Sequence, residues 1–142
     1  MRNWILVFAL CLMTGAQAQV SALLGDWKTI DDKTGERRSV VTIYQGEDGL
    51  YYGKISKMLV GAPGLTCEAC KGEDANAPLE GLVIIRGMQY DEKANALTGG
   101  QVLDPESGKF YFGKIFTKDG KLVLRGSLDK RGLFGRNQTW ER

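Results

Sequence analysis

The chain has 142 residues, with 19 basic and 17 acidic side chains, a net charge of +2 and no histidine. The near balance, without any block of like charge, argues against nucleic acid or an acidic membrane surface as a partner. The missing histidine excludes Ser-His and Cys-His nucleophile pairs, histidine metal ligands and C-x-x-C-H haem attachment, so neither catalysis nor a cofactor or metal is expected.

The first stretch, MRNWILVFALCLMTGAQA, has one basic residue, Arg2, then an apolar run over residues 4–13, then Ala16-Gln17-Ala18 as an A-x-A cleavage pattern. This is the form of a cleavable secretory signal peptide. The apolar run is about half of the roughly 20 residues needed to span a bilayer, so no membrane span is expected. The bulky Leu10 before Cys11 argues against a lipoprotein cleavage site. The expectation is therefore a leader over residues 1–18 and one exported domain over residues 19–142, periplasmic or secreted, of a size that supports a single core.

After the leader, short alternating runs separated by glycine and Asp/Asn read as strands. They are GDWKTI (25–30), RSVVTIYQ (38–45), LYYGKISKM (50–58), GLVIIRGM (81–88), ALTGGQVL (96–103), KFYFGKIFT (109–117), KLVLRGSL (121–128) and RNQTWER (136–142). Turn signals such as DDKTGE, GEDG, DPESG and KDG join them. No segment keeps a helical period. Eight short strands joined by turns predict an all-β chain, a small antiparallel up-and-down barrel, because closing the sheet removes its edges. The carboxylates Asp104 and Glu106 of DPESG read as solvated turn residues, with Pro105 set for a type I or II turn.

The long stretch over 59–80 is the main irregularity, and loops of that length are usually functional or disordered. It holds Cys67-Glu68-Ala69-Cys70. In an oxidising compartment this pair reads first as a structural disulfide, contributing about 2 kcal/mol by loop-closure entropy. A redox-active pair and half of a metal site are the alternatives.

Gly25-Asp26-Trp27 resembles the G-x-W signature of calycin barrels, the group of lipocalins, fatty-acid-binding proteins and avidins. That resemblance implies a tryptophan plugging the barrel floor beneath an arginine, supplied here by Arg136 or Arg142. Taken in order, GDWKTIDDKTG, VVTIYQ, YYGKI, CEACKGE, GLVIIRGM, GGQVLDPESGKFY, LRGSL and GRNQTW resemble the bacterial exported family known as domain of unknown function 2147 (DUF2147). The family resemblance implies a signal peptide and a small calycin-like β domain, and no established activity.

The pentapeptide YYGKI at 51–55 returns as YFGKI at 111–115. Side chains alternate across a strand, so one face carries Tyr51, Gly53 and Ile55, with Tyr111, Gly113 and Ile115 in the second copy. The other carries Lys54 and Lys114. If the isoleucine face points inward, the candidate lumen residues are Tyr51, Ile55, Tyr111, Ile115, Leu122 and Leu124. Phe110, Phe112 and Phe116 then form an outer stripe that a protein partner would cover. If the aromatic face points inward, the lysines enter the lumen at a steep desolvation cost. The leading functional expectation is a binding module for a small apolar or amphiphilic molecule. The alternative is an envelope protein–protein interaction module with a side-chain-filled barrel.

Overall fold

Each run of alternating residues forms a strand that pairs with the next. The strands are β1 (Gly25–Ile30), β2 (Arg37–Gln45), β3 (Tyr51–Met58), β4 (Val83–Asp91), β5 (Ala96–Asp104), β6 (Lys109–Lys118), β7 (Lys121–Ser127) and β8 (Gly135–Trp140). All neighbours are antiparallel, in the order β1 to β8. The computed structural model describes residues 19–142. The expected leader over residues 1–18, with Cys11, lies outside the described residues.

The sheet curls until β8 meets β1 at a single bridge, Lys28 to Glu141. There the Lys28 amide donates to the Glu141 carbonyl at 2.6 Å, and the Glu141 amide donates back at 3.1 Å. The barrel is thus nearly closed, with this one bridge joining its two terminal segments.

Alternation decides which face is inside. In β3, Tyr51, Gly53 and Ile55 are buried while Lys54 and Ser56 are exposed. In β6, Ile115 is fully buried and Lys114 is exposed. The repeated pentapeptide is one strand solution used twice, with isoleucine in the core and lysine in water.

Among the breaks in the alternation, one lies at Gly87 and Gly99. Their φ angles of 66° and 79° lie in the left-handed region that favours glycine. Ile85 pairs with Val102 on one side of this bend, and Tyr90 pairs with Leu97 on the other. Ile85, Met88, Leu97 and Val102 are all buried, although their spacing does not follow a strict period of two. Strand β4 therefore runs on to Asp91, past the end at Met88 that alternation predicts.

One end of the barrel is plugged. Trp27 is 1% exposed and donates its indole N–H to the Leu23 carbonyl at 2.9 Å. The Arg142 guanidinium lies 3.9 Å over the Trp27 ring. It also donates to the carbonyls of Leu24 at 3.0 Å and Ala22 at 2.9 Å. Gly25 explains the first letter of G-x-W. Its φ is 94°, and any side chain there would press on the arginine. Of the two candidate arginines, Arg142 takes the floor position. Arg136 lies at the opposite end.

Candidate functional site in the open half of the barrel

The turns β1–β2, β5–β6 and β7–β8 and the long β3–β4 connection gather at the other end, and between them opens a cavity of about 850 Å³. Inward side chains of the upper strands form its apolar wall, among them Ile55, Ile84, Val102, Leu124 and Trp140. Two hydrogen-bonded pairs add polarity. The Thr29 and Ser39 hydroxyls lie 2.8 Å apart, and the Trp140 indole N–H donates to the Gln138 side-chain carbonyl at 3.2 Å.

The six residues expected to line a lumen divide between two levels. Ile55, Tyr111 and Leu124 line the cavity. Tyr51, Ile115 and Leu122 also point inward but belong to the packed core and not to the cavity wall. The physical reason is filling from neighbouring strands. Met88 and Leu97, brought inward by the β4–β5 bend, occupy the space beside them. A side-chain carbon at Gly113 would approach Val102 at 2.7 Å and Met88 at 3.3 Å. One at Gly53 would approach Ile85 at 2.7 Å. Gly126, next to Gly113 across the β6–β7 ladder, differs. It lines the cavity, and only Tyr111, at 3.6 Å, would touch a side chain placed there.

Charged groups ring the mouth. The Arg38 guanidinium lies 3.1 Å from Asp31 and 3.6 Å from Glu106, tying the β1–β2 turn to the β5–β6 turn. The Asp31 carboxylate also accepts from the Thr34 and Lys33 amides, each at 2.9 Å. These two backbone donors, with Arg38 behind them, hold its pKa down at about 2. The Arg136 guanidinium and the Tyr111 hydroxyl also face this region and have no hydrogen-bond partner among the described residues.

The long connection is ordered. Residues Gly72–Asp74 form a short 3-10 turn, and Thr66 bridges to Pro78. Cys67 and Cys70 form a disulfide with Cα atoms 5.3 Å apart. Both are buried in the core, at 1% and 5% exposure, which shields the bond as a structural crosslink would be shielded. The loop sits against the β5–β6 turn, where any side chain at Gly108 would overlap the Ala69 carbonyl. It is also pinned to the outside of β4 by Asp74 and Arg86, 3.0 Å apart. Among the described residues, no cluster of cysteine and carboxylates could hold a metal ion.

The outer aromatic stripe is partly covered by the chain itself. Arg86 lies 5.2 Å over the Phe110 ring and Lys114 lies 5.8 Å over Phe116. Phe112 and Phe116 are half-buried, and Phe110 is the exposed member.

Comparison with known proteins agrees with this architecture. Protein HP1028 from the human pathogen Helicobacter pylori, described as belonging to the lipocalin family, has a similar structure, with a TM-score of 0.71 at 21% identity. The match covers 84% of this chain and 82% of that one. At that identity the likeness speaks for a lipocalin-like fold. No curated protein matches the chain in sequence. The family pattern described as "uncharacterized protein conserved in bacteria (DUF2147)" matches residues 25–142, and the chain belongs to that family.

Proposed function

We propose that this protein is an exported binding module that holds a small, mostly apolar molecule in the open half of its barrel. The observation that carries the reading is the cavity of about 850 Å³, walled by Ile55, Val102, Leu124 and Trp140 and opening between the turns. Ligand sites are commonly concave, of about 300–1,000 Å³, mainly apolar, with a few placed polar groups. An eight-stranded barrel either fills with its own side chains or holds one small ligand. This barrel is filled below and open above. The rival expectation of a side-chain-filled interaction module fits the lower half only. Export is part of the proposal, motivated by the leader at residues 1–18 and consistent with the Cys67–Cys70 disulfide.

The test uses Gly126, which faces the cavity with room above it. Fluorescence titration with anilinonaphthalene sulfonate should show saturable binding to the wild type, and Trp140 in the cavity wall should report it by quenching. Gly126→Phe should keep the β-sheet circular dichroism and weaken binding at least about tenfold. Unsaturable binding by the wild type, or unchanged binding by a folded Gly126→Phe variant, would overturn the reading. Native mass spectrometry of protein taken from its own cell envelope would then give the ligand's mass.

A further inference from the structure

The β7–β8 hairpin ends in the segment Leu128-Asp129-Lys130-Arg131-Gly132-Leu133-Phe134-Gly135-Arg136. Leu128, Leu133 and Phe134 are 75%, 68% and 72% exposed, the most exposed large apolar side chains among the described residues. A hairpin tip this apolar would ordinarily fold back or be floppy. Here it is braced from beneath. The Asp129 carboxylate accepts from the Leu133 amide at 3.1 Å and from the Phe134 amide at 2.8 Å. The Arg125 guanidinium donates to the Gly132 carbonyl at 2.7 Å, and the Leu128 amide donates to the Phe134 carbonyl at 2.9 Å. The polar groups of the turn are consumed in holding the three apolar side chains out in water.

The charges around the tip are mainly basic, three cations against one carboxylate. Lys130, Arg131 and Arg136 are exposed and have no side-chain partner among the described residues. The one carboxylate of the segment, Asp129, is engaged with the turn backbone. Across the mouth, Asp31, Asp32 and Glu36 stand against Lys33 and Arg38, and Asp104 and Glu106 against Lys109, so the cationic excess belongs to this hairpin and not to the whole rim. The nearly neutral total charge conceals it.

We propose that this hairpin docks the barrel, mouth first, on an anionic lipid surface, with Leu128, Leu133 and Phe134 in the headgroup–acyl boundary and Lys130, Arg131 and Arg136 on the anionic headgroups. Two observations favour a bilayer over a protein. Three protruding side chains are far short of the roughly 800 Å² per partner that a stable protein interface buries, whereas a bilayer needs no complementary shape and gains from apolar contact and cations together. Leu128 and Phe134 also line the cavity, so two of the three tip side chains would set the cavity mouth against the bilayer. The docking itself does not depend on the cavity holding a ligand.

The experiment is co-sedimentation of the protein, purified as its own cell processes it, with vesicles of phosphatidylglycerol and phosphatidylcholine or of phosphatidylcholine alone. Binding should favour the anionic vesicles and fall as salt rises. A Lys130→Glu/Arg131→Glu double variant should bind at least about tenfold more weakly, given about 1 kcal/mol per basic residue at an anionic surface. A Leu133→Ser variant, at the one tip residue outside the cavity wall, should also weaken, with its melting temperature and anilinonaphthalene sulfonate binding kept. In a third variant, Leu133→Trp, emission should shift to the blue with anionic vesicles and be quenched by brominated lipid. Equal vesicle binding by the wild type and both tip variants, or a Leu133→Trp emission that ignores vesicles, would overturn the proposal and leave a protein partner for the tip. Loss of probe binding in the Gly126→Phe variant with vesicle binding intact would separate the two proposals.

Discussion

Arg142 and Arg38 stand at opposite ends of the barrel and are held by different chemistry. Arg142 is gripped by the main-chain carbonyls of Ala22, Leu24 and Asp26 and by the Trp27 ring. None of those partners titrates as a side-chain acid. Arg38 is held by the carboxylates of Asp31 and Glu106. The same contrast runs through the interior. Trp27, Ile43, Met88, Leu97 and Ile115 leave no space at the Arg142 end, while the Arg38 end holds a cavity of about 850 Å³. One half is built to stay shut and the other is built around space.

That difference is broken most severely at the floor. Trp27→Ala removes the largest plug residue, the stacking partner of Arg142 and an indole N–H bonded to Leu23. Truncation of such a residue costs about 3–5 kcal/mol, read as a shift of the urea midpoint. Ile115→Ala, one level up in the packed half, should cost about 2–5 kcal/mol because its neighbours cannot collapse into the void. Leu124→Ala should cost less, about 1–2 kcal/mol, since the lost side chain already borders open space and mainly the transfer contribution is forfeited. Equal losses for Ile115→Ala and Leu124→Ala would mean that the two halves are packed alike.

Much of this could be read from residues alone. The eight strands and their order follow from alternation and turn chemistry, and β3, β6 and β7 point inward the residues that a lysine-out reading requires. The depth at which packing ends was not legible. Tyr51, Ile115 and Leu122 look the same in sequence as Ile55, Tyr111 and Leu124, because alternation gives a face and not a height. Gly87 and Gly99 resemble the other strand glycines, and only their positive φ reveals the bend that carries Met88 and Leu97 inward. Arg136 and Arg142 were equivalent candidates for the floor. The bridge from Glu141 to Lys28 decides between them by setting which end of β8 lies beside Trp27. DKRGLFG reads as an ordinary turn. Its signal lay in Leu133 and Phe134, large apolar residues within a polar turn.

The mouth should respond to acid and the floor should not. The Asp31 carboxyl is lowered from 3.8 to about 2 by the Thr34 and Lys33 amides and by Arg38. A depressed folded-state pKa gives stability that is present above the unfolded value and lost as pH falls through the folded one. Between pH of about 4 and about 2, amide hydrogen exchange at Lys33 and Thr34 should therefore rise relative to exchange around Trp27. Asp31→Asn should remove most of that pH dependence. Parallel acid sensitivity at both ends would show that the two arginines are not held differently.

The smallest expected effects lie on the outer face of the repeated pentapeptide. Lys54 and Lys114 are exposed, and their ammonium groups sit 5.6 Å from the Tyr44 ring and 5.8 Å from the Phe116 ring. Exposed cation–π contacts of this kind contribute about 0.5–1 kcal/mol, and surface substitutions elsewhere usually stay within about 0.5 kcal/mol. Lys54→Glu and Lys114→Glu should thus each cost less than about 1 kcal/mol in urea titrations. Ile55→Ala and Ile115→Ala, two letters of the same repeat turned the other way, should not cost the same. Ile115 is fully enclosed, whereas Ile55 borders the cavity and should lose less. The order Ile115, Ile55, then the lysines tests both the face and the height of the repeat. An isoleucine pair with equal cost would place the boundary between packed and open interior above Ile55. A lysine substitution costing more than Ile115→Ala would turn the strand inside out.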